Sequence, residues 1–521
     1  MALARIGKGI TYIILLNILQ FIVGIVFYST LSRELIPAEI GVFSTLTFVY
    51  TTLTALAPLA LHVAAVKYVA EYLGKGDEER AASVTRTVTR VVLLSSTCFF
   101  LFFLVFTTLV GGRWASIPGI QFFLALAAAA GFLSSLRVTY LSLIQGLQLY
   151  DRYAVTNLSS MIASKCIGIV LIRGGAGLLG AVLGMLLGEC VGLGLTYMSY
   201  KGKLPETRAG YDVRMLFRFS LPILLMGLLA TMQDWSDRIF FLATSGNLEA
   251  LGVFDLVIRA VTSLGVVGAV LDVVVLPTFS ESYGRNGNRE LSSMITKALR
   301  YLGLMYFPAA LGLASISHTA MTVLYQARLA SEGYMPLTLL ALFSIFNGFS
   351  TILNTGLKSM GRTSSFIRIS LIALAVDAGT VIVLSPLLGL YGAVVARAAS
   401  MMIVFVFTLF ELKKELSFRV DRDGLAKALM ASLCLVPLLL SVEHLTYFPN
   451  ALVKLGVEVA IATAAYFTAL FLVRAIRKED IYIMKQMTPQ SMRWIVRAVE
   501  KLYVRRLGTS NDRVRGATFD A

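Results

Sequence analysis

The sequence predicts an all-α polytopic membrane protein with about fourteen transmembrane helices. Of its 521 residues, 57% are hydrophobic and only 15% are charged, whereas about 25% of residues are charged in a typical soluble protein. A soluble domain of this length could not bury so much apolar surface. The composition therefore excludes a cytosolic enzyme, a secreted disulfide scaffold and a disordered chain.

Apolar segments long enough to cross a bilayer recur along the chain. A spanning helix needs about 20 mostly apolar residues. The first such segment is too long for a signal-peptide core and lacks a small-residue cleavage site after it, so we expect it to be retained. The predicted spans lie near residues 10–31, 40–62, 88–110, 118–144, 153–172, 177–199, 217–243, 250–277, 301–324, 335–356, 366–385, 390–410, 427–446 and 451–474.

The distribution of basic residues predicts the orientation. The chain carries 46 Lys and Arg against 30 Asp and Glu, a net charge of +16. An even number of spans places both termini on one side, where 36 of these basic residues fall; the opposite side has four, namely Arg33, Arg113, Arg173 and Arg328. By the positive-inside rule, we expect a multi-pass protein of the cell membrane with both termini cytoplasmic. Because this asymmetry uses most of the basic excess, nucleic acid is not an expected partner.

The chain also repeats itself at an offset near 210 residues. Ala38–Phe43 recurs as Glu249–Phe254, and Gly177–Val182 recurs as Gly389–Val394. These matches occur in the same order, which predicts two parallel copies of a six-helix unit around a central cleft. The predicted domains are an N-lobe at 1–205, a C-lobe at 206–416 and two extra spans at 417–475.

The C-terminal tail has a different character from the spans. Within 476–507, apolar residues recur at helical spacing against Lys and Arg. This pattern predicts an amphipathic cytoplasmic helix on the anionic inner leaflet, with a soluble helix docked on the cytoplasmic loops as the alternative. Residues 508–521 are predicted to be disordered.

Several segments resemble a known transporter family. The chain is similar to the polysaccharide-biosynthesis flippases of the multidrug/oligosaccharidyl-lipid/polysaccharide exporter superfamily. The resemblance implies fourteen helices in two lobes. It also implies movement of a polyprenyl-diphosphate-linked oligosaccharide from the cytoplasmic to the outer leaflet, for cell-surface polysaccharide or glycan synthesis. The segments that carry it are Arg33–Phe43, Lys67–Tyr72, Gly76-Asp77, Phe219–Pro222, Asp237-Arg238 and Gly389–Ala393.

The expected partners follow from this resemblance. They are membrane lipid and the lipid-linked glycan itself, bound by a monomer that works beside glycosyltransferases. An ion-coupled multidrug exporter of the same superfamily is the alternative, although that class usually has twelve spans and its cationic cargo would favour an acidic cleft. A membrane glycosyl ligase or polymerase would need a long outer loop with acid and base residues. The outer loops here are short, so we expect no catalytic residues and no enzyme activity.

Basic residues inside the spans are candidates for cargo contact. Charged residues are costly within a bilayer and usually mark a pathway or a buried pair. Arg matches phosphate oxygens with a planar fork, and Lys supplies a mobile point charge. The sequence therefore predicts a cationic ladder of Arg137, Lys165, Arg259 and Arg397. The alternative is structural pairing, of Asp255 with Arg259, Asp234 with Arg238 and Lys165 with Glu189. Lys454 is interpreted as a snorkelling residue.

Acidic residues inside the spans are candidates for energy coupling. Asp377, Glu189, Asp255 and Asp237 could each bind H⁺ or Na⁺, with a helix-bridging structural role as the equal alternative. The sequence contains no Walker A motif, so ATP is not the expected direct energy source. No cofactor or metal site is expected, since the three histidines are scattered. The four cysteines lie in apolar spans and are interpreted as small core residues.

Overall fold

The computed structural model describes residues 19–20, 22–114, 119–445, 448, 450–475 and 477, and every regular element in these ranges is a helix. The predicted all-α fold is thus confirmed. The first half contains α1 (22–34), α2 (Pro37–Leu56), α3 (Leu61–Gly74), α4 (Glu78–Trp114), α5 (Ile120–Gly146), α6 (Tyr150–Leu171) and α7 (Gly177–Tyr200).

The second half continues the helical pattern. The predicted tail helix and disordered tail lie outside the described residues, apart from Arg477. The helices are α8 (Val213–Ser245), α9 (Leu248–Thr262), α10 (Gly265–Ser315), α11 (Ser317–Leu324), α12 (Ala327–Ser359), α13 (Thr363–Leu388), α14 (Leu390–Glu415), α15 (Arg422–Leu433), α16 (Leu435–Leu445) and α17 (Ala451–Leu472).

Helices α6 and α7 form a tight antiparallel hairpin. A short π-helical segment, Ile172–Ala176, joins them, and glycines at 175 and 177 take the positive φ values that reverse the chain. Along the hairpin, Gly184 lies against Gly168 and Gly188 against Ser164. Small residues at these crossings let the two backbones approach closely, as in many membrane helix pairs.

Two corresponding helices of the repeat are broken. Between α2 and α3, Leu59 and Ala60 adopt left-handed φ values of 51° and 52°. The eighth predicted span was expected to be continuous over 250–277, but it breaks at Ser263–Leu264 between α9 and α10. Both predicted copies thus contain a helix break, although the second break lies closer to Gly252 than the first lies to Gly41. Apolar length alone does not reveal either break.

The ninth predicted span is also bent. Gly287, with φ of 64°, interrupts α10, and the helix from Gly287 to Ser315 meets α11 at 76°. The described ranges contain ten helical segments long and apolar enough to cross a membrane, or eleven if this bent pair is one span. One of the ten, Tyr150–Tyr200, is the α6–α7 hairpin and holds two predicted spans. The first predicted span extends beyond the described residues.

Buried apolar residues form distinct cores. One core lies within the first half, around α3, α4 and α5, and another within the second half, around α10, α12 and α14. A larger core joins α1, α2, α5 and α7 to α9, α12 and α14. A fourth core packs α15, α16 and α17 against α11. The last two spans therefore pack against the second half, while the domain boundaries near 205 and 416 stay predictions.

The cysteines correct one expectation. Cys98, Cys166, Cys190 and Cys434 are all exposed on the helix surfaces rather than buried in a core. All four lie in predicted spans. An apolar span does not indicate which of its faces is turned toward other helices.

Candidate functional site

The outer ends of the two halves meet where α2 crosses α9. A Cβ atom added to Gly41 would collide with the carbonyl oxygen of Leu248, and one added to Gly252 would collide with that of Pro37. Gly41 and Gly252 occupy equivalent positions in the internal repeat, so the crossing is symmetric. Two glycines thus allow the backbones to close this end of the space between the lobes.

Hydrogen bonds add to this closure. The Arg33 Nη2 atom donates to the Val323 carbonyl oxygen over 3.1 Å, and the Gln326 Nε2 atom donates to the Arg33 carbonyl oxygen over 2.6 Å. Arg33 ends α1, whereas the other two residues flank the turn between α11 and α12. These bonds tie the two halves together on the predicted outer side.

The predicted cytoplasmic side contains a cleft instead. Two adjoining cavities of about 570 and 360 Å³ share the lining residues His62, Val63 and Val138. Their walls come from the start of α3, the C-terminal half of α5, the start of α6 and the first half of α8. Arg137 is among the lining residues of the larger cavity. The molecule is therefore closed on the predicted outer side and has a cleft on the predicted cytoplasmic side.

Arg137 is held by a buried carboxylate. Its Nε atom lies 2.6 Å from Glu189 Oε2, and its Nη1 atom donates to Asn157 Oδ1 over 3.3 Å. The Tyr50 hydroxyl donates to the same carboxylate over 2.7 Å. Glu189 therefore pairs with Arg137, so the proposed pairing of Glu189 with Lys165 is wrong.

A second network centres on Asp255. Its carboxylate lies 2.7 Å from Arg259 Nε and 3.1 Å from Arg238 Nε. The pairing of Asp255 with Arg259 is confirmed. In the other expected pair, Asp234 with Arg238, the guanidinium donates to the backbone oxygen of Asp234 over 3.0 Å and not to its carboxylate. One carboxylate thus serves two guanidinium groups.

Lys165 completes this network from the other half of the chain. Its ammonium lies 4.0 Å from the ring centre of Phe27 and 5.0 Å from that of Tyr28, while the Arg259 guanidinium lies 4.1 Å from the Tyr28 ring. Within the described residues, Lys165 forms no ion pair with a carboxylate. Arg238 and Arg259 therefore share the carboxylate of Asp255, and Lys165 joins this network through the ring of Tyr28.

Arg397 lies in an acidic part of the network. Its Nε atom is 3.7 Å from Asp237 Oδ2, and its Nη1 atom donates to the Gln233 backbone oxygen over 2.8 Å. Asp377 accepts a hydrogen bond from Ser236. Asp237 and Asp377 are both fully buried, and each has one oxygen without a hydrogen-bond partner in the described part of the chain.

The predicted ladder is thus only partly assembled. Lys165 and Arg259 meet at Tyr28, and Arg397 connects to them through Asp237 and Arg238. Arg137 belongs to the separate group with Glu189. The sequence reasoning missed Tyr28 and Tyr50, because an aromatic residue in an apolar span carries no signal that it will lie beside a charge.

An apolar cavity of about 280 Å³ lies where the two halves meet. Its lining includes Phe48, Phe103 and Phe106 from the first half and Trp235 and Leu248 from the second. Arg238 also lines it, and its guanidinium lies 4.5 Å from the Trp235 ring centre. An apolar chamber therefore adjoins the charged network around Asp255.

Comparison with known proteins identifies the family. A family model for polysaccharide biosynthesis proteins matches residues 6–283, more than half of the chain. The chain belongs to this family. Family membership confirms the resemblance found in the sequence and makes this a multi-pass transporter-type membrane protein.

Individual relatives of this family member are distant. The probable low-salt glycan biosynthesis flippase Agl15 of Haloferax volcanii is 21% identical over 462 residues, which cover 88% of this chain and 93% of that protein. The probable lipid II flippase MurJ of Rhizobium tropici is 25% identical over 224 residues, 42% of each chain.

Solved structures show the same fold. An inward closed lipid II flippase MurJ superposes with a TM-score of 0.70 at 14% identity, covering 88% of this chain and 97% of that one. An inward-facing multidrug resistance MATE transporter superposes with a TM-score of 0.67 at 15% identity, covering 76% and 94%. The family member therefore shares the architecture of the superfamily.

Proposed function

We propose that this protein flips an oligosaccharide linked to polyprenyl diphosphate from the cytoplasmic to the outer leaflet. Its family, the curated relatives named for glycan and lipid II flipping, and its inward-open cleft support this proposal. It is a transporter rather than an enzyme, and the flipped oligosaccharide serves cell-surface glycan or polysaccharide synthesis.

The cationic side chains at Tyr28 and Asp255 carry the proposal. Arg238 and Arg259 share the carboxylate of Asp255, and Lys165, which lies at the Tyr28 ring, forms no ion pair within the described residues. A buried cation without a carboxylate partner is costly unless a counter-ion arrives. A diphosphate offers several negatively charged oxygens to Lys and Arg donors. The anionic head group would therefore bind here during transport.

Alternating access follows from the asymmetry of the two ends. The cleft beside Arg137 would admit the head group and sugars from the cytoplasm while the α2–α9 crossing is closed. Rocking of the lobes would then open the outer side. The apolar chamber beside Trp235 lies between the lobes, where the polyprenyl tail would stay in contact with lipid.

A multidrug exporter activity fits the charges less well. The fold is shared with MATE transporters, but at identities of 15–16% the likeness concerns the fold alone. An organic cation would be repelled by Lys165 and Arg259 at Tyr28. The chemistry of the site thus favours an anionic cargo.

We further propose that transport couples to H⁺ or Na⁺ through Asp237 and Asp377. Of the four acidic candidates, Glu189 and Asp255 are engaged by close arginine pairs, whereas Asp237 lies 3.7 Å from Arg397 and Asp377 is bound by Ser236. A carboxylate with an unpartnered buried oxygen readily accepts a proton or a cation. No further cofactor enters this proposal.

We also propose that the protein is a monomer in the cell membrane. Both termini would lie in the cytoplasm, where glycosyltransferases assemble its cargo. The positive-inside distribution of Lys and Arg supports this orientation.

Reconstituted vesicles test the function directly. A labelled polyprenyl-diphosphate oligosaccharide is incorporated, and a membrane-impermeant quencher reports its arrival in the outer leaflet. We expect faster arrival with the protein than without it. Equal rates would contradict the flippase proposal.

A charge substitution tests the site. Lys165→Gln should slow transport about 10- to 100-fold, because a hydrogen bond to a charged group contributes about 1.5–3 kcal/mol. Arg328→Gln is the matched control, since Arg328 is an exposed cation paired with Glu249. An unchanged rate for Lys165→Gln would show that this cation does not contact the cargo.

A further inference from the structure

A second cluster of charged residues lies away from the central network, where α11 meets the last two spans. Its members are His318 and Thr319 of α11, Glu443 of α16, and Lys454 and Glu458 of α17. Glu458 is fully buried, and the side chains of Glu443 and Lys454 are 7% and 16% exposed. The cluster lies near the turn between α16 and α17, on the predicted outer side.

The hydrogen-bond donors in this cluster are too few for its acceptors. The Thr319 hydroxyl lies 2.7 Å from Glu443 Oε2 and 3.3 Å from Glu458 Oε1, but it has one proton to donate. Glu458 Oε2 is buried and has no hydrogen-bond donor in the described ranges. One carboxylate oxygen is therefore left without compensation.

Among the described residues, Lys454 supplies the only positive charge close to these two carboxylates that does not depend on pH. Its ammonium lies 3.3 Å from Glu443 Oε2 and 3.9 Å from Glu458 Oε1, and it donates to the Glu443 backbone oxygen over 3.1 Å. Interpreting Lys454 as a snorkelling residue is therefore wrong. One Lys against two buried carboxylates leaves the cluster one positive charge short.

The two carboxyl groups supply that charge by sharing a proton. The carboxylates of Glu443 and Glu458 both approach the Thr319 hydroxyl and the Lys454 ammonium, so the two acidic groups lie close together. Like charges held this close favour the singly protonated form. We propose that Glu443 and Glu458 together form a proton-binding site.

The resident ammonium argues for a proton rather than a metal cation. Lys454 already takes the position that a bound cation would need beside both carboxylates. A proton needs no further ligands, whereas a hard cation requires a shell of several oxygens. With one proton bound, the charges of Lys454, Glu443 and Glu458 sum to zero.

His318 connects this site to the solvent. Its Nδ1 atom lies 3.3 Å from Glu443 Oε1, its side chain is 55% exposed, and its ring packs edge-on against Tyr334 of α12. Protons can therefore reach the buried pair from the outer side. Because α16 and α17 meet α11 through this cluster, loss of the proton would leave an unpaired buried charge and weaken their docking. This site does not depend on the identity of the cargo.

Infrared difference spectroscopy of the full-length protein in nanodiscs tests the proposal. Spectra are compared between about pH 5 and pH 9, a range that extends above the usual titration of a free Glu. We expect the wild type to lose one carboxylic-acid C=O band at alkaline pH. Glu458→Gln and Glu443→Gln should each lack that band. Glu249→Gln, which removes an exposed carboxylate on the same side, should retain it.

Specific outcomes would overturn the proton site. The band could be absent from the wild type, or it could persist unchanged in both Gln variants. Loss of the band on adding NaCl at constant pH would instead identify a cation site. Thermal unfolding gives a second readout, since the wild type should lose stability as the band disappears, while a folded Glu458→Gln variant should not. If one Gln variant does not fold, the other decides.

Discussion

Arg137 and Glu189 form a buried ion pair at the inner cleft. The guanidinium and the carboxylate are 11% and 7% exposed, and Tyr50 and Asn157 complete their hydrogen bonds. A buried pair contributes little net stability relative to apolar residues, but removing one partner leaves the other charge uncompensated. The pair therefore acts as a unit.

A double-mutant cycle tests that unit. Arg137→Gln and Glu189→Gln should each destabilise the protein by about 3–5 kcal/mol. The double variant should lose less than the sum of the two, because neither charge is then stranded. Thermal unfolding in detergent measures this, and additive losses would show that the two side chains act independently.

Tyr28 has an unusual position between two cations. Lys165 and Arg259 come from different halves of the chain, and both lie against its ring. The ring quadrupole attracts each cation. It thus helps two like charges to share one site beside the single carboxylate of Asp255.

At the scale of elements, the crossing of α2 and α9 depends on two glycines. Gly41 and Gly252 each lie against a backbone carbonyl of the opposing helix. Even a methyl group there would force the helices apart. Since this contact closes the outer side, its loss should shift the conformational equilibrium toward the outward-open state.

Distance measurements test this shift. Gly41→Ala and Gly252→Ala should lengthen the distance between spin labels at Glu34 and Glu332, both exposed on the outer side, in a background without the native cysteines. Gly194→Ala is the matched control, because nothing lies within 4 Å of an added Cβ there. Unchanged distances in both variants would show that the crossing does not control closure.

Asp421 caps α15 and pairs with Arg477, which follows α17 in the chain. Its carboxylate accepts from the Gly424 backbone N–H over 3.0 Å and lies 2.8 Å from Arg477 Nη2. Burial opposes ionisation of this group. This effect is outweighed by the hydrogen bond from Gly424 and by the positive charges of Arg477 and Arg300. Together they hold the pKa of Asp421 below its usual value. Asp421 therefore stabilises the fold above the unfolded pKa, and this contribution is lost as pH falls through the lowered pKa.

The cap gives a pH-dependent prediction. Asp421→Asn keeps a capping oxygen but loses the ion pairs with Arg477 and Arg300, so it should cost about 0.2–1 kcal/mol at neutral pH. The difference from the wild type should shrink below about pH 4, where the wild-type carboxylate begins to take up a proton. Thermal unfolding across pH measures this. Asp423→Asn, at a more exposed carboxylate, should change stability little, and a constant Asp421→Asn effect at all pH values would contradict the mechanism.

At the scale of the whole molecule, the fold has one closed and one open end. Apolar packing between the halves is concentrated around α2, α9 and their neighbours, and the inner halves of α3, α5 and α8 leave a cleft. The distribution of Lys and Arg predicts that the open end is the cytoplasmic one.

Reporter fusions test the orientation. A fluorescent protein that matures only in the cytoplasm should fluoresce when fused after Ala521. The same reporter inserted after Arg113 should stay dark, because this loop belongs to the predicted outer side. The reverse pattern would invert the assignment of inner and outer ends.

The charged residues show how far the sequence could be interpreted. Helical spacing was enough to predict the Asp255–Arg259 pair, because residues four apart lie on one helix face. It could not predict the pairing of Glu189 with Arg137 or of Lys454 with Glu443 and Glu458. Depth in the membrane follows from counting residues, but the direction a side chain faces depends on how the helices are rotated and packed.

The sequence by itself determined the membrane class, the helical fold, the internal repeat and the family. These depend on apolar length, periodicity and order along the chain, which are local properties. Only the tertiary structure decided which helices break, which end is closed and which charges stay unpaired. Those features arise from contacts between residues distant in sequence, such as Gly41 with Leu248 and Lys165 with Tyr28.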